Sequence, residues 1–572
     1  MSLFGKVNNK YNEVSKKKYF YLLASIPWVL FIIFLAVTMY KHGYIAYESN
    51  DDAFLNLIPS GAFGHKYSLN IYNNVIIGWI LTVLYGISET HNWYTIMEVG
   101  LFFSAVMVMG VCNICRNKLV KGYLTNIIIL WASVFSMMCK MNYSKTAAFV
   151  LAVGLFILCA AVDNADFAKL KNRLMQILAV IFILAGGLLR KQSLYAVIPF
   201  AGLLVIYLIL KYKKGAVKRL IPWGIAGVLL MSAWIGDACA YNSDPDWKHF
   251  VEYNELRTSL IDYGIPRYDD CREAYDAIGL SAVDVSMLSN WYYADEEVFS
   301  IDTLKKVIEI RDNNKEKKKL SEKIEELATG FVKTAGEYRI IYILLFLFLV
   351  LCIRTNKKIF GYQLLSMLIG AGEVLGLLLI NRIPERSVYI AVLSAMIVMV
   401  YFVNEEKYSF NKTVESICLC LVGIFALYGL EYTTISKRFE NAVYDKTYSD
   451  QFFSYVNSHS GNLYVYSVQY EEYFLRYCYS PLENPNLCRR TNAVIEGGWL
   501  VPSPIYTNLI EPYGDKYNLF RAMAENDNVY WIADGNIESY GFVEYMKQHY
   551  GVSPIVVDNI AGIYEVISFT AE

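Results

Sequence analysis

Apolar runs about as long as a bilayer is thick recur along this chain, many of them ended by lysine or arginine, and no other feature restricts its fold so severely. A backbone crossing hydrocarbon must satisfy its N–H and C=O groups internally, so runs of roughly 20 apolar residues fold as spanning helices. The first run, Tyr19–Tyr40, follows Lys16-Lys17-Lys18. It has no small-residue cleavage site, so it reads as a retained helix and not as a signal peptide. Basic residues stay on the cytoplasmic side, which places the N-terminus inside. Composition agrees: 55% of the 572 residues are hydrophobic and only 18% are charged. Forty-seven tyrosines and ten tryptophans suit extensive membrane interfaces. The net charge of -1 offers no global field for nucleic acid.

Threading by this rule gives spans near 93–115, 123–141, 146–162, 174–189, 194–210, 220–241, 338–353, 360–380, 388–403 and 414–432. Basic clusters at 116–121, 169–173, 211–219 and 354–358 fall inside. With the first helix this makes eleven crossings, so the chain divides into a membrane domain, 1–432, and an extracellular C-terminal domain, 433–572. Two loops, 41–92 and 242–337, lie outside. The first carries an apolar stretch, 73–87, too short to span and read as an interfacial helix. The polar second loop shows helical periodicity. The last region changes period: "NLYVYSV", "NVYWIAD", "SPIVVDN" and "GIYEVISF" read as strands, with "ESYGFVEYMKQHYG" a helix among them. A small α/β domain is expected. Cys478 and Cys488 fit either a disulfide or two thiols there. No fixed-period repeat is apparent, which weakens an inverted-repeat transporter.

Several cations break the charge rule by falling at outer helix ends: Lys140, Lys145, Arg190, Lys191, Arg382 and Arg386. Cations in a half-apolar place need anionic partners. A lipid phosphate is one, with arginine suited to bidentate contact. Ordinary headgroups, or Glu385, Asp237 and the loop acids, are the other. Glu373, mid-helix in "LIGAGEVLGLLL", is a cavity-lining candidate, as are Asn50 and His65 in the first loop. Beside Asn50 stand two adjacent carboxylates, Asp51 and Asp52, where the first helix leaves the bilayer. Either is placed to act as a general base, both together to hold a divalent metal, and Asn-Asp-Asp is also ordinary helix-capping chemistry.

The first span, the acidic pair opening "NDDAFLNLIPSGAFG", the apolar helix of that loop and the following hairpins resemble the GT-C superfamily of membrane glycosyltransferases. "NRIPERSVY" and "GGWLVPSPIY" also look like a group of multispan proteins of Gram-positive bacteria with this layout. The resemblance implies a polyprenyl-phosphate sugar as donor, a cell-envelope glycan or lipid as acceptor, a first-loop acid as base and inversion at the sugar. That acid maps to Asp51 or Asp52. The phosphate-binding arginine maps to Arg382 or Arg386, with Arg190 and Lys191 as further donor-phosphate candidates. No WWD-type motif is present, which disfavours transfer to protein asparagine. A polysaccharide polymerase or ligase shares most of these features. A transporter or flippase accounts for the helices but not for the long outer loop or the α/β domain, and an envelope scaffold is the non-enzymatic rival.

Overall fold

The computed structural model describes residues 20–117, 119–314, 320–352, 357–405, 446–534 and 541–571. Each span expected up to residue 403 falls on a helix. These are α1 (Ile26–Lys41), α4 (Trp93–Asn117), α5 (Leu119–Met138), α6 (Tyr143–Val162), α7 (Leu170–Leu189), α8 (Lys191–Tyr212), α9 (Ala216–Asn242), α15 (Arg339–Cys352), α16 (Lys357–Leu379) and α17 (Glu385–Tyr401). The segment 414–432 lies outside the described residues. Among the described residues, six stretches are long and apolar enough to cross a membrane: Phe20–Lys41, Trp93–Arg116, Tyr143–Val162, Leu170–Leu189, Lys191–Asn242 and Lys357–Leu379. The fifth of these contains two successive helices, α8 and α9. Helices α5, α15 and α17 fall short by that measure, so eleven crossings remain an expectation.

Beyond its polar first turn helix α6 is apolar all round, and it is wholly buried, the centre about which α4, α7, α8 and α17 pack. It approaches α7 closely because small residues face it. A Cβ on Gly186 would lie 2.5 Å from the Ala147 carbonyl oxygen, and one on Gly154 2.9 Å from the Ile183 nitrogen. Outer helices instead show Leu30, Phe34, Ile177, Val228 and Met231 to their surroundings, the apolar belt a bilayer would cover.

At one end of the bundle lie the first loop, with α2 (Asn50–Ser60) and α3 (Val75–Ile87), and the second loop, with α10 (Pro245–Tyr263), α11 (Arg272–Ala277), α12 (Ala282–Ser289), α13 (Ile301–Asn313) and α14 (Leu320–Glu337). The expected short apolar helix is α3. Against this end packs the C-terminal unit: α18 (Thr447–Ser458), α19 (Val468–Tyr473), α20 (Pro504–Ile510), α21 (Leu519–Glu525) and α22 (Phe542–Tyr550) around a five-stranded sheet. The strands β1 (Leu463–Tyr466), β2 (Ala493–Ile495), β3 (Val529–Ala533), β4 (Val552–Ile560) and β5 (Tyr564–Ala571) run in the order β2-β1-β3-β5-β4. β1 pairs in parallel with β2 and β3, and the β3–β5 and β5–β4 pairs are antiparallel. Only β2, three residues long, escapes the sequence pattern. The unit is docked by polar contacts: Asp295 accepts from Tyr545 and Tyr550 at 2.7 and 2.6 Å, and Lys516 meets Asp246 at 2.6 Å.

Candidate active site at the first-loop end of the bundle

Backbone pairing places the acidic pair. Ala46 donates to the Met138 carbonyl and Glu48 to that of Met141, while Met141 donates back to Ala46. This short parallel contact delivers the start of α2 to the N-terminus of α6. Along α2 successive side chains diverge by about 100°, so the two aspartates meet different surroundings. Asp52 is fully buried. Its Oδ1 accepts from the Tyr94 hydroxyl at 2.8 Å and from the Tyr143 N–H at 2.8 Å, and its Oδ2 from the Asn142 amide at 3.4 Å. The carboxyl thus satisfies the first turn of α6, where a helix N-terminus favours an acceptor. Burial, with Glu98 nearby, holds its pKa well above the usual carboxylate range despite those hydrogen bonds.

Asp51 points elsewhere. Its side chain is 18% exposed and stands 3.7 Å from the Arg386 guanidinium. Burial raises its pKa, while Arg386, Arg190 and Arg257 pull it down. Arg190 donates to the Tyr143 hydroxyl at 2.5 Å and stacks over the rings of Tyr72 and Tyr143 at 4.9 and 4.8 Å. Arg257, buried on α10, lies 5.4 Å from the Trp291 ring and donates to Asn254, while its Nε has no partner. Arg382 pairs with Asp262 at 2.8 Å, and Asp262 also feels Arg257, Arg386 and Arg190. Four guanidiniums therefore share this space with Asp51 and Asp262, while Glu48 and Asp52, which also act on Arg386, are engaged by Lys145 and by Tyr94 and Tyr143. The local excess of fixed positive charge fits an added anion with several oxygens.

The other expected cations found protein partners. Lys140 binds Glu385 at 3.0 Å, and the buried Lys145 binds Glu48 at 3.1 Å and the Ser136 carbonyl at 2.9 Å. Exposed Lys191 sits over the Trp234 ring at 5.4 Å, with Asp237 within electrostatic reach. Asn50 is the first residue of α2, half-buried beside Asp51. His65 is exposed on the loop after α2, its ring against Tyr67 at 6.3 Å, with no hydrogen bond or ion pair to the arginine group. Glu373 on α16 keeps both carboxylate oxygens buried and without a hydrogen-bond partner. Cys478 and Cys488 are both buried and are not joined in a disulfide. Asp51 and Asp52 face different surroundings, Asp52 turned to Tyr94, Tyr143 and Asn142 and Asp51 to Arg386. No group of three His, Cys, Asp or Glu side chains among the described residues is placed to hold a metal.

Sequence reasoning missed Arg257, Asp262, Tyr72 and the role of Trp499. Arg257 stands in a polar helix, where one arginine carries no signal. Trp499, in the quoted "GGWLVPSPIY", reaches back from the C-terminal unit to meet the Tyr72 ring at 4.8 Å and the Phe54 ring at 5.3 Å.

No family model matches the chain, and no curated protein does. Among solved structures it is similar to crystal structures of ArnT from Cupriavidus metallidurans. The form bound to undecaprenyl phosphate is 10% identical with a TM-score of 0.40, and the apo form 11% identical with a TM-score of 0.42. Each match covers 95% of this chain and 98% of that one. A likeness at this level carries no argument about residues or reaction.

Proposed function

We propose that the protein is an inverting membrane glycosyltransferase of GT-C type, moving a sugar from a polyprenyl-phosphate donor to a glycan or lipid acceptor of the cell envelope, on the outer face. One observation carries this reading: of the two aspartates only Asp51 is open, with Arg386 3.7 Å away and Arg190 and Arg257 within electrostatic reach. A carboxylate beside a cationic pocket matches what displacement at a sugar phosphate needs. The Asp51 carboxylate takes the proton of the acceptor hydroxyl, whose oxygen forms a bond to the anomeric carbon. The bond from that carbon to the phosphate oxygen breaks, and the lipid phosphate leaves with the electron pair. Arg386, Arg257 and Arg190 stabilise the charge growing on it. The partial burial that raises the Asp51 pKa also strengthens it as a base. Asp52 keeps α2 seated on α6 and takes no part in proton transfer.

Asp51→Asn preserves size and removes basicity. General-base help is worth about 10²- to 10⁴-fold, so turnover of a polyprenyl-phosphate sugar by the purified chain should fall by that factor, with binding of the lipid donor retained. Transfer by Asp51→Asn at the wild-type rate would show that this carboxylate is not the base.

A further inference from the structure

Resting on the glycosyltransferase reading, a second question is what holds the sugar. The seam between the first loop, α10 and the C-terminal unit is closed by residues 496–507, running from the end of β2 into α20. Its seat is set sterically: a Cβ on Gly497 would fall 1.7 Å from the Trp291 carbonyl oxygen, and Gly498 donates to that oxygen at 3.0 Å. Trp291 lies against Arg257, and Trp499 against Tyr72, which carries Arg190 on its ring. One ring and one cation thus separate the Trp499 indole from the surroundings of Asp51.

The polar groups of this seam are unusual. The Trp499 Nε1, the Ser503 Oγ, the Thr507 Oγ1 and both amide atoms of Asn73 are buried without a hydrogen-bond partner. Each unmet buried group is destabilising. Native proteins tolerate few, and each one needs an explanation. Donors and acceptors of both kinds, borne by the segment that carries this indole and by the residue that follows Tyr72, match a saccharide, which offers hydroxyls that donate and accept along with an apolar C–H face. The phosphate is served by the arginines, so these neutral groups have a separate task.

We propose that residues 496–507 form a saccharide subsite of the catalytic centre, with Trp499 as its platform and Asn73, Ser503 and Thr507 as its hydrogen-bonding groups. The C-terminal unit thereby reads a sugar, either the one carried by the donor or one on the acceptor.

The test uses the full chain in nanodiscs and three probes: undecaprenyl phosphate, undecaprenyl-phosphate glucose, and maltotriose. Trp499→Ala and the near-isosteric Thr507→Val are compared with wild type, with thermal unfolding as the control for folding. Loss of about ten-fold in affinity for the glucosyl lipid, with undecaprenyl phosphate unchanged, assigns the subsite to the donor sugar. Loss for maltotriose alone assigns it to the acceptor. Folded variants that bind every probe as wild type does, or lose both lipids equally, overturn the proposal. Failure of wild type to bind either lipid sinks the glycosyltransferase reading itself, and is told apart because it precedes any mutation.

Discussion

Asp51 and Asp52 are neighbours in sequence with opposite tasks, and substitution separates them. Asp52→Ala strips the partner from the Tyr94 hydroxyl and the Tyr143 N–H in a fully buried place. A loss of about 1–3 kcal/mol in stability follows, read as a lower unfolding temperature, whereas Asp51→Asn should unfold as wild type does. Glu496 supplies a pH signature. Burial pushes its carboxyl up to about 7. An unfolded glutamate titrates near 4.3, so between about 4.3 and 7 the folded state holds a proton that the unfolded state releases. Stability is fully present below that window and declines as pH rises through it. Glu496→Gln should flatten the decline between pH of about 4.3 and 7, and an unaltered slope in thermal unfolding of the full chain would assign the decline to other groups.

At the level of elements, the loop 496–507 depends on a glycine. Gly497→Ala would drive a Cβ into the backbone carbonyl of Trp291, where no flexible side chain can give way. Gly461, also in the C-terminal unit, has open space about it. Gly497→Ala should therefore lower the unfolding temperature and speed proteolysis of the C-terminal unit, and Gly461→Ala should do neither. Equal behaviour of the two would mean that the loop reseats. The arginines divide by position in the same way. Arg386 faces Asp51, whereas Arg382 is engaged by Asp262. Arg386→Lys keeps the charge but loses the planar fork, and should raise the KM for the lipid donor more than Arg382→Lys does. The reverse order would place the phosphate on the Asp262 side.

For the whole molecule the testable statement is sidedness. Asn559 on β4 and Lys214 after α8 are both exposed and lie on regions assigned to opposite faces. In a background lacking the other exposed thiols, Asn559→Cys should react with an impermeant thiol reagent on intact cells. Lys214→Cys should react only after lysis. The opposite pattern would invert the orientation and move the site to the cytoplasmic face.

Helices 26–41, 93–117 and 170–189 were legible because a long apolar run has few folds open to it. Four of the five strands were legible because short runs rich in β-branched and aromatic residues, bounded by turn residues, favour a sheet. Even the acidic pair was visible, since two carboxylates at a helix exit stand out against hydrocarbon. Which of them is open was not, because that depends on where α2 sits against α6, set by backbone pairing between residues 46–48 and 138–141. Arg257, Asp262 and Trp499 were equally hidden. They lie far along the chain from Asp51, and each looks ordinary in its own segment. Local sequence determines helices, strands and the sign of loops through short-range sterics and solvation. Only tertiary packing brings distant charges and rings within the few ångströms over which electrostatics and hydrogen bonding make a site.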